Sequence, residues 1–200
     1  MPPAPHESRT RLLDAALSVV RAKGFNATRI EDICTAAGVS KGSFFHHFKS
    51  KEDLALAAVE HWDATTSELF AHAPYHQARD PLDRLLGYLE FRKSLLTGEP
   101  AQFTCFAGTI IQEAHTTHPA VVSACGKNVW DHAETLVADI AEAMQFHQVS
   151  GNWSAESLAL HTQAVLQGAF ILAKASGDAK VASQSIDHLS RYVESLFGRP

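Results

Sequence analysis

Residues 28–51, TRIEDICTAAGVSKGSFFHHFKSK, constrain the fold of this chain more than any other stretch. Thr28 and Glu31 stand at the Thr-x-x-Glu spacing of a capping box, in which a hydroxyl and a carboxylate each satisfy a helix-terminal N–H. Ile30, Ile33, Cys34 and Ala37 follow at i, i+3, i+4 and i+7, the single apolar stripe of a helix. Gly38 comes just past that stripe, where a left-handed backbone is cheap only without a Cβ. Ser40 then caps a second, short helix that opens with Lys41 and Gly42. Two helices joined by so short a turn cross sharply, and the second is free to lie in a DNA groove.

The charge distribution points the same way. The 200-residue chain carries a formal charge of −5, yet residues 1–51 hold eight Lys/Arg against four Asp/Glu. A basic amino-terminal end on an acidic body implies that one end meets a polyanion while the remainder is repelled by it, which excludes wrapping. Hydrophobic residues at 46% supply a core, and disorder is expected only at the termini, above all in the Pro-rich start. The opening MPPAPHESRT has no apolar signal core, and no run approaches membrane-spanning length. Cys34, Cys105 and Cys125 form no Cys-x-x-Cys motif, which fits a reducing compartment and gives no zinc signal. Cytoplasmic localisation without membrane contact is therefore expected.

Helical periodicity runs through the whole chain. Residues 7–23 carry Leu12, Leu13, Ala16, Leu17, Val19 and Val20 at helical spacing, with Gly24 as the stop. Ser50-Lys51-Glu52-Asp53 opens a helix of about 51–71, and Asp80-Pro81 caps another after a loop holding Pro74. Further helices are predicted over 103–114, from Pro119 through Met144, over 155–176 after Ser154, and over 179–197 after Gly177-Asp178. No alternating strand pattern occurs. The expectation is an all-α protein of about nine helices. Residues 1–51 would form a three-helix helix–turn–helix domain and residues 52–200 a larger ligand-binding and dimerisation domain, joined by the helix of about 51–71.

The first of these regions resembles the TetR family of one-component transcriptional regulators. The likeness runs from Arg9 to about Val59. It is carried by Gly24-Phe25, Thr28, Ile30, Ile33, Ala36, Gly38-Val39-Ser40-Lys41-Gly42, Phe44 and Phe48, and Lys51-Glu52-Asp53-Leu54. The resemblance implies a DNA-reading head, a ligand pocket in the helical body, and pairing of the last two helices with a second subunit. It places Thr28, Arg29 and Lys51 on phosphate, and Ser40, Lys41 and Gly42 at the start of the recognition helix. Phe45, His46 and His47 would face the groove or its walls. Relatives mostly carry tyrosines near the first two of these positions, so a phenolic phosphate contact would be missing here or supplied by imidazole. Phe44 and Phe48, spaced i, i+4, read as core.

In the body, Trp62, Tyr88, Phe91, Phe103, Phe106, Trp130 and Phe170 are candidates to line an apolar pocket, with Cys105 beside them. Glu90, Arg92, Thr109, Gln112 and His161 are candidate polar anchors. The run from Phe103 through Cys105 to Glu113 is similar to a subgroup that senses electrophiles or oxidants through a thiol, and a helix amino-terminus favours the thiolate. Twelve histidines include the spacings His72/His76 and His115/His118, but Pro74 interrupts the first pair and the second lies in a loop before Pro119. No metal or cofactor is therefore assigned. No nucleophile–base motif or Gly-rich phosphate loop is present, so an enzyme is not expected. The sequence-based reading is a homodimeric repressor released from a palindromic operator by an unknown small-molecule inducer. The alternatives are a thiol sensor acting through Cys105 and a ligand-independent DNA-binding factor.

Overall fold

The computed structural model describes residues 5–199, with side chains from residue 7 onward; the Pro-rich start expected to fray lies mostly outside them. Ten α-helices and one 3₁₀ turn make up the described residues, and no strand is found among them. In chain order they are α1 (Pro5–Lys23), α2 (Ile30–Ala37), α3 (Lys41–His47), α4 (Lys51–Ala71), the 3₁₀ turn Pro74–Gln77, and α5 (Pro81–Ser94). Then follow α6 (Pro100–Phe103), α7 (Phe106–Ala114), α8 (Pro119–Phe146), α9 (Ala155–Ser176) and α10 (Ala179–Leu196).

Local chemistry sets most boundaries. Gly24, Gly38 and Gly177 stop α1, α2 and α9 at φ of 85°, 64° and 69°, the left-handed region where a Cβ is penalised. Ser40, Asp80, Ser154 and Asp178 each accept a backbone N–H at the start of a helix. The helix expected over 103–114 begins later, at Phe106, and a separate short helix precedes it. Pro100 opens α6, and α7 begins only after Cys105, whose Sγ accepts the Gly108 N–H at 3.3 Å. The short α6 accounts for the tenth helix. The box expected at Thr28/Glu31 is displaced by one residue, because Arg29 is the N-cap and the Asp32 carboxylate accepts its N–H at 3.0 Å.

The chain forms two compact units. The first takes the chain up to Ser67 together with Thr104–Asn128, and so includes α1–α3, most of α4, and α7. Phe106, Ala107, Ile110 and Ala114 give α7 a buried apolar face, and α7 packs on α1. The core around the short α3 is held by Phe44 and Phe48, both buried as their spacing predicts.

The second unit holds Glu68–Phe103 and the chain from Val129 onward. Its α9 and α10 form an extensively packed pair, with α10 also on α5. Small residues make the close approach: Ala169, Ala173 and Ala182 form one buried cluster, against which Leu96 and Phe103 pack. No helix among the described residues is long and apolar enough to cross a membrane.

Candidate nucleic-acid interface

The reading head is built from α1, α2 and α3, which pack on one another. Gly38 lets α2 stop abruptly, with its N–H on Thr35 O at 3.2 Å and the Val39 N–H on Cys34 O at 3.0 Å. Ser40 Oγ accepts the Ser43 N–H at 3.1 Å and starts α3 in a fixed direction. Phe44 is the anchor of α3, fully buried and in contact with Phe45 edge-to-face at 5.2 Å and with Phe48 at 5.8 Å.

That anchoring turns Lys41, Gly42, Phe45 and His46 outward, with Phe45 51% exposed. Lys41 donates to the Glu31 carboxylate at 2.5 Å, and this hydrogen bond raises its pKa. Both partners stand in solvent, where such a pair is weak and yields readily to a phosphate. His47 is partly buried, hydrogen-bonded through Nε2 to Ser8 Oγ at 2.7 Å and set edge-to-face against His46 at 4.9 Å. Burial, then the charges of His46 and Arg9, hold its pKa below the usual histidine value. Arg9 lies over the Phe48 ring at 5.5 Å and is exposed, as is Lys49 beyond α3. These two cations flank the same helix and were not among the expected contacts. Arg9 is remote in sequence, so no local spacing signals it.

Arg29 stays exposed at the start of α2, as a phosphate contact requires. Thr28 does not. It is only 1% exposed, and its hydroxyl donates to Gly24 O at 2.6 Å. Lys51 is also turned inward, donating to Phe25 O at 3.0 Å and Thr28 O at 3.1 Å, with its ammonium 4.5 Å from the Phe25 ring centroid. Burial lowers its pKa, partly countered by Glu113. The physical reason is shared. The turn after α1 leaves carbonyls without helical partners, and Thr28 and Lys51 are the nearest donors.

The residues proposed for a pocket fall into both units. In the first, Phe106 is fully buried and tilted against Trp62 at 6.3 Å, while Arg21 lies 5.3 Å over Trp62. Cys105 is half-buried at the start of α7, and the Arg21 guanidinium is within electrostatic reach of it. Cys125 is buried and its thiol is pushed up to about 12 by burial and by Cys105. The Thr109 hydroxyl donates to Cys105 O, and the Gln112 amide donates to Gly108 O, so both serve their own helix.

In the second unit, Tyr88 is buried with its hydroxyl 3.0 Å from His132 Nε2, and the Gln163 side-chain amide donates to the phenol oxygen at 3.1 Å. Phe70 touches His132 at 4.7 Å, Tyr88 at 5.7 Å and Phe91 at 5.5 Å, and Phe103 meets Phe170 at 6.4 Å. His132 is held neutral, its pKa lowered to about 3 by burial and then by the charge of Arg92. Phe70, His132 and Gln163 were not singled out in the sequence, since nothing local separates a buried histidine from a solvated one. Trp130 is 61% exposed on α8 and makes no ring contact in this cluster. His161 packs edge-to-face on Tyr192 at 5.2 Å, and Glu90 lies 3.8 Å from Lys93. No group of three His, Cys, Asp or Glu suited to a metal occurs among the described residues. His72 and His76 each meet a backbone carbonyl, those of Glu68 and Phe70.

A capped helix presenting Lys41, Gly42, Phe45 and His46 on a three-helix head, carried by an all-helical body, defines a helix–turn–helix regulator fold. Residues 12–58 match the family model for bacterial regulatory proteins of the tetR family, and residues 81–189 match the tetracyclin repressor-like C-terminal domain. The chain belongs to the TetR family. It is 30% identical over 102 residues to the transcriptional regulator AcuR of Cereibacter sphaeroides, a match taking in 51% of this chain and 47% of AcuR. The chain thus spans under half the length of that relative. A TetR-family regulator from Agrobacterium tumefaciens has the same fold at a TM-score of 0.84 and 21% identity, covering 94% of this chain and 98% of the other. One from Chloroflexus aurantiacus aligns at a TM-score of 0.82 and 26% identity, over 94% and 95%.

Proposed function

We propose that this protein is a homodimeric transcriptional repressor that binds a pseudo-palindromic operator through α3 and leaves it when a small molecule binds the helical body. The observation that carries this reading is the outward face of α3: Lys41, Gly42, Phe45 and His46, flanked by Arg29, Arg9 and Lys49, on a head fixed by buried Phe44. A two-fold operator needs a two-fold protein. Leu160, Ile171, Leu172 and Tyr192 leave α9 and α10 with exposed apolar side chains, which supports pairing of those helices between subunits. α4 runs unbroken from Lys51 to Ala71, so a displacement of its far end is carried toward the head. The inducer acts only if it binds the released state more tightly than the operator-ready state.

Selection of genomic fragments by the purified protein at two salt concentrations tests this. The expected result is a recovered palindrome and an affinity falling steeply with salt. No enrichment over random DNA overturns it. A recovered palindrome whose affinity no compound alters leaves a ligand-independent DNA-binding factor.

A second reading concerns Cys105. Its sulfur accepts the Gly108 N–H at the start of α7, and Arg21 supplies the basic neighbour that no sequence spacing revealed. On this reading the Cys105 sulfur adds to an activated alkene, forming a sulfur–carbon bond as the carbon–carbon π bond breaks and the thiol proton passes to the neighbouring carbon, and operator is released. Cys105→Ser with an unchanged response to electrophiles removes it.

A further inference from the structure

The second unit contains a guanidinium without a counter-charge among the described residues. Arg92 projects from α5 with Cζ 5.3 Å from the Phe70 ring centroid and 5.4 Å from that of Phe170. Among the described residues it makes no ion pair and no hydrogen bond through its side chain. The other cations of α5 are paired: Arg84 with Asp139 at 2.7 Å and with Glu142, and Lys93 with Asp187 at 2.5 Å. In an acidic body, the one α5 cation set among aromatic rings is the one without a carboxylate. A guanidinium's planar fork of five donors is suited to two carboxylate oxygens at once.

A neutral imidazole, that of His132, lies in the same cluster. Gln163 donates to the Tyr88 oxygen, and the phenol and His132 Nε2 share a hydrogen bond at 3.0 Å. Phe70 touches both His132 and Arg92. The surroundings therefore offer one positive charge, a neutral imidazole, and the rings of Phe70, Phe91 and Phe170.

We infer that this cluster binds a monocarboxylate with an apolar body, its carboxylate on Arg92 and its body against the phenylalanine rings. The inference rests on the ligand-responsive reading above and specifies the class of inducer. A single guanidinium balances one negative charge, and His132, being neutral, adds no second charge. A dianion such as a phosphate ester would keep an uncompensated charge among aromatic side chains, which is costly.

The test uses the full chain with benzoate, phenylacetate and hexanoate as probes. Each is set against its uncharged amide, with phenyl phosphate as the dianion, in calorimetric titration and thermal melting. At least one acid is expected to bind ten-fold or more tightly than its amide and than phenyl phosphate. Arg92→Gln is expected to erase the preference for acid over amide, and Arg92→Lys to keep part of it. The ligand-free melting temperature of each variant shows that it folds. Binding of no acid at millimolar concentration, amides binding as well as acids, phenyl phosphate binding more tightly, or an acid preference surviving Arg92→Gln each overturns the inference. Operator release separates the two readings. A neutral inducer acting equally on wild type and Arg92→Gln discards the carboxylate and keeps the ligand-responsive regulator. An operator affinity altered by no compound discards both.

Discussion

Glu113 and Asn26 are joined twice across 87 residues of sequence. The Asn26 backbone N–H donates to the Glu113 carboxylate at 3.1 Å, and the Asn26 side-chain amide donates to the Glu113 carbonyl at 3.0 Å. Gly24 lies directly beneath that carboxylate, at φ of 85°. The end of α7 is thereby latched to the turn that leads from α1 into the DNA-reading pair.

Gly24→Ala is expected to destabilise the fold by about 1–3 kcal/mol, through the left-handed backbone and the overlap of its methyl group with Glu113. Glu113→Ala alone is expected to cost about 0.5–1.5 kcal/mol. Part of the Gly24→Ala effect is the overlap, so the double variant should be less destabilised than the sum of the two. Urea unfolding of all four proteins measures this coupling. Strict additivity would mean that the carboxylate moves aside freely.

The outward and inward cations of the head should separate in a salt titration. Arg29→Ala and Lys41→Ala are each expected to weaken operator binding and to reduce the slope of log affinity against log salt by about 1. Lys51→Met should leave that slope unchanged. It should instead lower stability by about 1–3 kcal/mol, since the Thr28 carbonyl loses the ammonium donor and the Phe25 carbonyl keeps only the Thr28 N–H. A slope reduced by Lys51→Met would show that the ammonium swings out to phosphate when DNA arrives.

His47 is expected to link operator binding to pH. Its folded pKa is depressed, so the stability it contributes is present above the unfolded value of about 6.5 and is lost as pH falls through the folded value. A nearby phosphate reverses the preference by favouring the charged ring. Operator affinity, measured at constant salt, should therefore rise as pH falls below about 6.5 while the free protein becomes less stable. The double variant His46→Gln, His47→Gln should flatten the affinity profile. A wild-type affinity unchanged from pH 6 to 8 would place both rings away from the phosphates.

His132 should shape the acid limb of stability. With its pKa lowered to about 3, the folded state holds the ring neutral while the unfolded chain takes up a proton near pH 6.5. Stability is thus fully present above pH 6.5 and declines progressively toward pH 3, by up to a few kcal/mol. His132→Gln is expected to be less stable than wild type at pH 7, through disrupted packing against Phe70, yet to lose less between pH 7 and pH 4. Urea midpoints at the two pH values check it. Parallel losses in the two proteins would mean that the ring is solvated enough to titrate normally.

What was legible in the sequence was local. Ser40, Asp80, Ser154 and Asp178 start helices because a side-chain oxygen reaches an N–H two or three residues on, and that reach depends on spacing alone. The apolar stripes placed Phe44, Phe48 and Ile33 in the core for a similar reason. The single misplaced cap shows the limit. Thr28 and Glu31 have the right spacing, but Thr28 found a carbonyl behind it and Glu31 found Lys41, so Asp32 took the role.

The sequence alone settled the all-helical class, the capped helix–turn–helix and its end of the chain, because periodicity and capping act within a few residues. Only the tertiary structure decided which donor meets which acceptor. It turned Thr28 and Lys51 inward, set Arg21 near Cys105, and left Arg92 among rings without an acid. A hydrogen bond or ion pair requires placement to within a few tenths of an ångström. That placement is fixed by the packing of segments far apart in sequence, which no local pattern records.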